Sequence, residues 1–375
     1  MNNSFESTLS VRDFPAWDKV KRKGGLLSFA LEITARCNNN CTHCYINLPY
    51  HDKESKEREL SFEEIKKITD EAVSMGAIWV LVTGGEPLLR DDFFDIYLYL
   101  KRKGLLVSVF TNATFITDEH IDLFREYPPN NIEVTVYGVT RETYEKITRR
   151  DGSFDLFMRG LDRLLKNGIK VRFKTMALRS NFHELPLISS FCRARTKDFF
   201  RFDPFLNLRF DGNQLRNKEI ISERLLPEEI VFVEQSDSER SSKLKKNCDK
   251  LVLSGLHNGN CNHLFGCGAG IGTFNVSHDG FLRLCSSLLH PDCVYDLRKG
   301  SLAEALQKFI PKVRDMRSDR EEFFKRCKSC ALINLCMWCP GHAHLETGEL
   351  DKPVDFFCEI ANARAEAIKP KTASI

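Results

Sequence analysis

No stretch of this 375-residue chain approaches 18 consecutive apolar residues, so no transmembrane helix is expected. Met1 to Val20 mixes acidic, basic and polar residues and lacks the apolar segment of a secretory signal. Charge of one sign is not in excess either. The 55 Lys and Arg against 52 Asp and Glu give a formal net charge of +3, too little to argue for nucleic acid or a membrane as partner. Internal repeats and low-complexity tracts are absent. Cysteine, by contrast, is abundant, with fourteen residues. In a secreted chain that number would imply disulfides. Without a signal segment it points to reduced thiols in a reducing, oxygen-poor cytoplasm. The length suffices for one sizeable core and a smaller satellite domain.

Three of the cysteines, Cys37, Cys41 and Cys44, lie in Thr34-Ala-Arg-Cys-Asn-Asn-Asn-Cys-Thr-His-Cys-Tyr45 with the spacing C-x3-C-x2-C. Thiolates are the ligands that iron–sulfur clusters select, and a closed cubane takes four, one per iron. Three thiolates in one loop with no fourth nearby would leave one iron open to a small molecule. A zinc loop or a structural thiol cluster is the alternative reading of the triplet.

The surrounding pattern alternates strand and helix. Leu27 to Thr34 reads as a strand, so the cysteine loop leaves a strand's carboxyl end, where α/β folds place their sites. Ser61-Phe-Glu-Glu64 is a capping box opening a helix that runs to about Gly76. Ala77 to Val82 is an apolar, buried-type strand ending in Thr83-Gly-Gly-Glu-Pro87, whose glycines permit close backbone approach. Helices are predicted over Asp91–Lys103, Thr117–Glu126, Ser153–Asn167 and Phe182–Arg195. Strands are predicted over Leu105–Phe110, Ile132–Tyr137, Ile169–Met176 and Asp198–Phe202. Six strand–helix units imply a parallel, curved sheet with right-handed crossovers. Asn213 to about Lys250, charged in both signs and poor in apolar residues, reads as a solvated helical bridge.

Eight cysteines crowd the last third: Cys261, Cys267, Cys285, Cys327, Cys330, Cys336, Cys339 and Cys358. Gly280 stands five positions before Cys285, and two C-x2-C pairs occur at Cys327/Cys330 and Cys336/Cys339. Such a set can complete two four-thiolate sites; a pair of structural zinc sites is the competing reading. Of the remaining cysteines, Cys192 on an apolar stretch is a candidate small core residue, and nothing requires Cys248 or Cys293 as ligands.

Together the triplet and Gly84-Gly85-Glu86-Pro87, about 40 residues apart, resemble the signature of radical S-adenosylmethionine (SAM) enzymes. The C-terminal cysteines resemble the SPASM extension of that family, with Cys336 and Cys339 one residue closer than its pattern. The resemblance covers roughly residues 27 to 362. It implies an α/β fold: a partial (β/α)6 barrel followed by a small cysteine-rich domain. The implied division is an extension at 1–26, barrel at 27–212, helical bridge at 213–260, cluster domain at 261–362 and tail at 363–375. It also implies three [4Fe–4S] clusters: a SAM-binding one on Cys37, Cys41 and Cys44, auxiliary cluster I on Cys261, Cys267, Cys285 and Cys339, and auxiliary cluster II on Cys327, Cys330, Cys336 and Cys358. SAM would contact Gly84, Gly85, Glu86 and Thr135, with Arg149 or Arg150 at about the position of the family's carboxylate-binding arginine; Tyr137 stands where many relatives have an acid. Asn112 reads equally as a turn residue.

What the family implies for chemistry is reductive cleavage of SAM to a 5′-deoxyadenosyl radical that abstracts a hydrogen atom, with an electron donor such as flavodoxin or ferredoxin. A peptide or protein side chain is the first substrate expectation. Ser286 and Ser287 stand after Cys285 where formylglycine-forming relatives carry an aspartate, which argues against that reaction. About 26 residues before the first strand are too few for a leader-peptide-recognition domain, so a separate recognition protein is one expected partner. The alternatives are a haem-precursor enzyme, to which Cys339-Pro340-Gly341-His342 is slightly similar, and a metal-cluster binding protein without catalysis. His342, His344 and Glu346 are candidates to line a channel or to form a polar turn.

Overall fold

The computed structural model describes residues 25–198, 200–242, 262–333 and 335–368. Cys248 and Cys261, most of the N-terminal extension and part of the tail lie outside the described residues. Six strands pair in chain order, each parallel to the next: β1 (Ser28–Thr34), β2 (Trp79–Gly84), β3 (Leu106–Thr111), β4 (Asn131–Thr135), β5 (Val171–Met176) and β6 (Phe200–Asp203). Their ends shift by one or two residues from the sequence expectation. With helices on the outer face they form the partial parallel barrel.

The sheet does not stop at β1. From the C-terminal third, β7 (Thr273–Val276) pairs parallel with β1, and β8 (Phe281–Arg283) and β9 (Val294–Asp296) continue antiparallel. The result is one nine-stranded sheet in the order β9-β8-β7-β1-β2-β3-β4-β5-β6. Phe29 stacks on Phe274 across the join, with centroids 5.5 Å apart. Gly280, the glycine of the C-terminal cysteine pattern, makes the tight β7–β8 turn at φ +90°, a conformation that other residues rarely adopt.

Period-two alternation sets the faces of these strands. On β1, Phe29, Leu31 and Ile33 are buried in the main core, while Ala30 and Glu32 line a central cavity. Glu32 would be costly there alone; Arg283 of β8 donates to it at 2.7 Å.

The helices follow their sequence signals. α1 (Phe62–Ser74) begins at the predicted capping box, with Ser61 and Glu64 bonding reciprocally, a device that contributes about 1 kcal/mol. α2 (Phe93–Arg102), α3 (Asp118–Glu126), α5 (Ser153–Lys166) and α6 (Leu185–Arg193) lie where expected, the last entered by a 3₁₀ turn over Arg179–Glu184. An additional helix, α4 (Arg141–Thr148), fills the β4–α5 connection, capped by Thr140. The bridge contains α7 (Gln214–Ser222) and α8 (Pro227–Ser236). α9 (Pro340–Thr347) and α10 (Asp355–Ile368) end the described chain, and α10 is tied to α8 by a buried Arg364–Glu234 pair at 2.6 Å. Among the described residues no helix is long and apolar enough to cross a membrane.

Candidate active site

The loops at the carboxyl ends of β1 to β6 surround a cavity of about 350 Å³. Cys37, Cys41, Cys44, Gly84, Gly85, Asn112 and Thr135 all line it, as do Tyr137, Lys174, Arg201, Asp203 and Ser286. The cysteine loop is held from outside at four points. Asn40 and Thr42 donate their N–H groups to the carbonyls of Thr148 and Ile147 at 2.9 and 3.0 Å, using acceptors that the end of α4 leaves free. Arg216 of α7 donates to the Cys41 carbonyl at 2.7 Å. Arg209, itself paired with Asp211, donates to the carbonyls of Cys44 and Asn47.

The three thiols stand close enough to affect one another. Burial pushes Cys41 up to about 12 and Cys37 well above the usual thiol range, and neighbouring thiols add to both shifts. Ligation of such thiols releases protons, which couples metal binding to pH. The donor set is the soft one that iron–sulfur clusters select. Buried polar groups without partners stand beside it: both amide atoms of Asn39 and the Nδ1 of His43. His43 is lowered to about 3 by burial, so it is neutral at pH 7. These unsatisfied donors and acceptors, costly if left unmade, fit a loop that receives a ligand. Among the described residues no three His, Cys, Asp or Glu side chains are gathered so as to hold one metal ion.

Gly84 and Gly85 line the cavity, but the close approach they permit is to backbone. A Cβ on Gly84 would lie 2.1 Å from the Thr34 carbonyl oxygen, and one on Gly85 2.3 Å from that of Arg36. The Gly85 and Glu86 N–H groups donate to those same carbonyls at 2.7 and 2.9 Å. The turn after β2 is thereby fastened to the chain that leads into Cys37. Glu86 is fully buried, accepting from the Thr111 hydroxyl and from the N–H groups of Asn112 and Leu88. Burial raises it to about 7 against those bonds. Asn112, fixed in this way, donates to Asn38 Oδ1 at 2.9 Å and lies 3.8 Å from Cys37 Sγ.

Thr135 sits at the cavity wall. Arg149 does not: it occupies the left-handed cap of α4 and pairs with Glu219 at 3.0 Å, on the network that also holds Arg216. Arg150 differs, having a buried Nη1 with no partner. Lys174, Arg201, Arg209 and Arg216 were not among the sequence candidates. Their partners are distant in sequence, and nothing local marks them.

The C-terminal cysteines fall into two groups by mutual influence. Burial pushes Cys285 up to about 11, and Cys339 and Cys267 add to it. Burial likewise raises Cys327 to about 12, with Cys358, Cys336 and Cys330 contributing, and Cys336 to about 11, with Cys358 and Cys330 contributing. Cys339 is the exception: burial alone would raise it, but hydrogen bonding from His342 holds it below the usual value. Backbone N–H groups of Leu332, Trp338 and His342 point at the sulfurs of Cys330, Cys336 and Cys339, each at 3.4 Å. Cys192 is buried in the main core, and buried Cys293 packs 3.7 Å from Met316 Sδ. His344 and Glu346 share α9 with His342, where His344 meets the His290 ring and Glu346 pairs with Arg224.

Residues 31–186 match the family model of the Radical SAM superfamily. The Fe-coproporphyrin III synthase of Methanosarcina barkeri is 35% identical over 179 residues, covering 46% of this chain and 44% of that protein. The AdoMet-dependent heme synthase of the same organism is 26% identical over 339 residues, covering 85% of this chain and 93% of that protein. Among solved structures, Streptococcus suis SuiB bound to the precursor peptide SuiA aligns with a TM-score of 0.65. That alignment covers 94% of this chain and 82% of SuiB at 12% identity, a likeness of fold.

Proposed function

We propose that the chain is a radical SAM enzyme that acts on a carboxylate-bearing haem precursor and carries three [4Fe–4S] clusters. The observation that carries this reading is the match to the heme synthase over 85% of this chain and 93% of that protein, a span longer than the barrel alone. Cys37, Cys41 and Cys44 would hold the SAM-binding cluster. Cys267, Cys285 and Cys339, with Cys261, would hold auxiliary cluster I. Cys327, Cys330, Cys336 and Cys358 would hold auxiliary cluster II.

When bound, cluster and SAM supply the hydrogen-abstracting 5′-deoxyadenosyl radical. The protein's part is to bind, orient and shield. Gly84, Gly85 and Thr135 present the cavity wall to SAM, and Glu86 braces Asn112 against the cysteine loop. Neither Arg149 nor Arg150 lines the cavity; Arg150, with its free buried Nη1, is the candidate for the SAM carboxylate, since Glu219 already holds Arg149. The arginine clamps at Arg209 and Arg216 fix the loop's carbonyls, so its sulfurs are preorganised before ligation.

A second reading, modification of a ribosomal peptide, draws on the fold shared with SuiB, whose structure holds the precursor peptide SuiA. One assay separates the two. Anaerobically reconstituted protein is incubated with SAM, dithionite and iron coproporphyrin III, and products are followed by mass spectrometry. The haem-precursor reading expects a changed porphyrin mass with matching 5′-deoxyadenosine. Unchanged porphyrin, with deoxyadenosine release no greater than without it, would overturn that reading.

A further inference from the structure

Two residues before the ends of β5 and β6, half-buried Lys174 and exposed Arg201 share one carboxylate. Glu133 on β4 accepts from Lys174 Nζ of β5 and from Arg201 Nη2 of β6, each at 3.2 Å. Lys174 and Arg201 are register partners on adjacent strands, and both line the cavity. The lysine ammonium also lies 3.9 Å from the centroid of the Phe110 ring, a cation–π contact that fixes its position. Lys174 stands two residues before the end of β5, roughly 7 Å below the strand terminus at the ordinary rise per residue.

Lys174, Arg201 and Asp203 line the cavity, and Glu133, the shared acceptor, has Arg172 as its register partner on β5. Asp203 is occupied in part by the N–H of Phe205 at 3.1 Å. Arg172 adds a buried Nε with no partner. Burial works against the charged form of Lys174, and Glu133 only partly offsets it. Apolar Ala30, Leu81 and Phe110 form the neighbouring walls. Such a surface, apolar with a cationic pair at one side, has the form of a pocket for a flat or apolar body with an anionic arm.

We infer that Lys174 and Arg201 form the substrate's anion-receiving site, taking a carboxylate arm between the ammonium and the guanidinium and so placing the body of the substrate beneath the SAM-facing loops. This rests on the haem-precursor reading above and adds the residues that select for it. Glu133 acts as a positioning residue, keeping the two cations side by side rather than repelled.

The test is equilibrium binding, by absorbance titration, of iron coproporphyrin III to the anaerobically reconstituted full chain in the presence of SAM. A parallel titration uses its tetramethyl ester, which has the same ring with every carboxylate masked. Wild-type protein binds the free acid more tightly than the ester. Lys174→Gln and Arg201→Gln each weaken the acid by about tenfold, the scale of one charge-assisted contact, and leave the ester unchanged. Lys174→Arg, which keeps the charge, retains acid binding, and exposed Lys312→Gln serves as the surface-charge control. Melting temperature and iron content are checked for each variant. Acid binding within twofold of wild type in both Gln variants, or ester bound as tightly as acid, overturns the inference while leaving the haem-precursor reading standing. Failure of the wild type to bind the free acid overturns both.

Discussion

Replacing Cys37, Cys41 and Cys44 together by alanine abolishes release of 5′-deoxyadenosine and leaves roughly eight irons per chain, four for each remaining cubane. The two parts of this result have separate structural causes. The three thiols share one loop on the cavity, held by the α4 carbonyls and by Arg209 and Arg216. Among the described C-terminal thiols, the thiol contributions to the shifts of Cys285, Cys327 and Cys336 come from other cysteines of that region. The loop's clamps act on its backbone N–H and carbonyl groups, so losing the sulfurs does not release it from the barrel. Iron analysis and chromatography of the quenched reaction read both parts. Deoxyadenosine release at the wild-type rate in the triple variant would contradict the assignment of the site.

Cys358→Ala lowers iron by about four per chain, keeps SAM cleavage, and stops conversion of substrate. Cys358 lies in the first turn of α10 and acts on Cys327 and Cys336 from a different element, closing a group that the Cys327–Cys339 segment begins. The helix itself is secured elsewhere. Ile360 is fully buried, and Arg364 reaches both Glu234 and the Leu335 carbonyl. Loss of the thiol therefore removes a ligand without freeing the helix. Unchanged iron content would show that Cys358 is not a ligand.

Much of this was legible before any coordinates, and the exceptions have physical reasons. The six barrel strands announce themselves as runs of β-formers closed by turn residues, and Ser61–Glu64 marks a helix start by its own reciprocal bonds. α4 was missed because it has only eight residues, several of them charged, and its apolar contacts reduce to Tyr144 and Ile147. The strands β7 to β9 have three or four residues each and are specified by the edge of β1 they extend, not by their own pattern. The cysteines could be picked out as a site because thiol chemistry and spacing are local. Glu86 is expected from its motif to contact SAM, yet its carboxylate turns to β3, since the Gly84–Gly85 backbone is zipped to Thr34 and Arg36. The cationic pair at Lys174 and Arg201 left no sequence signal. Each looks like an ordinary strand-flank charge until the sheet brings Glu133 between them.

The most direct test of the central claim uses wild-type protein purified and reconstituted without oxygen. Iron per chain is measured alongside 5′-deoxyadenosine released on adding SAM and a strong reductant. Three cubanes in a radical enzyme predict roughly twelve irons together with deoxyadenosine release. Zinc in place of most of the iron, with no release, would contradict the account and make the chain a metal-binding protein without this chemistry.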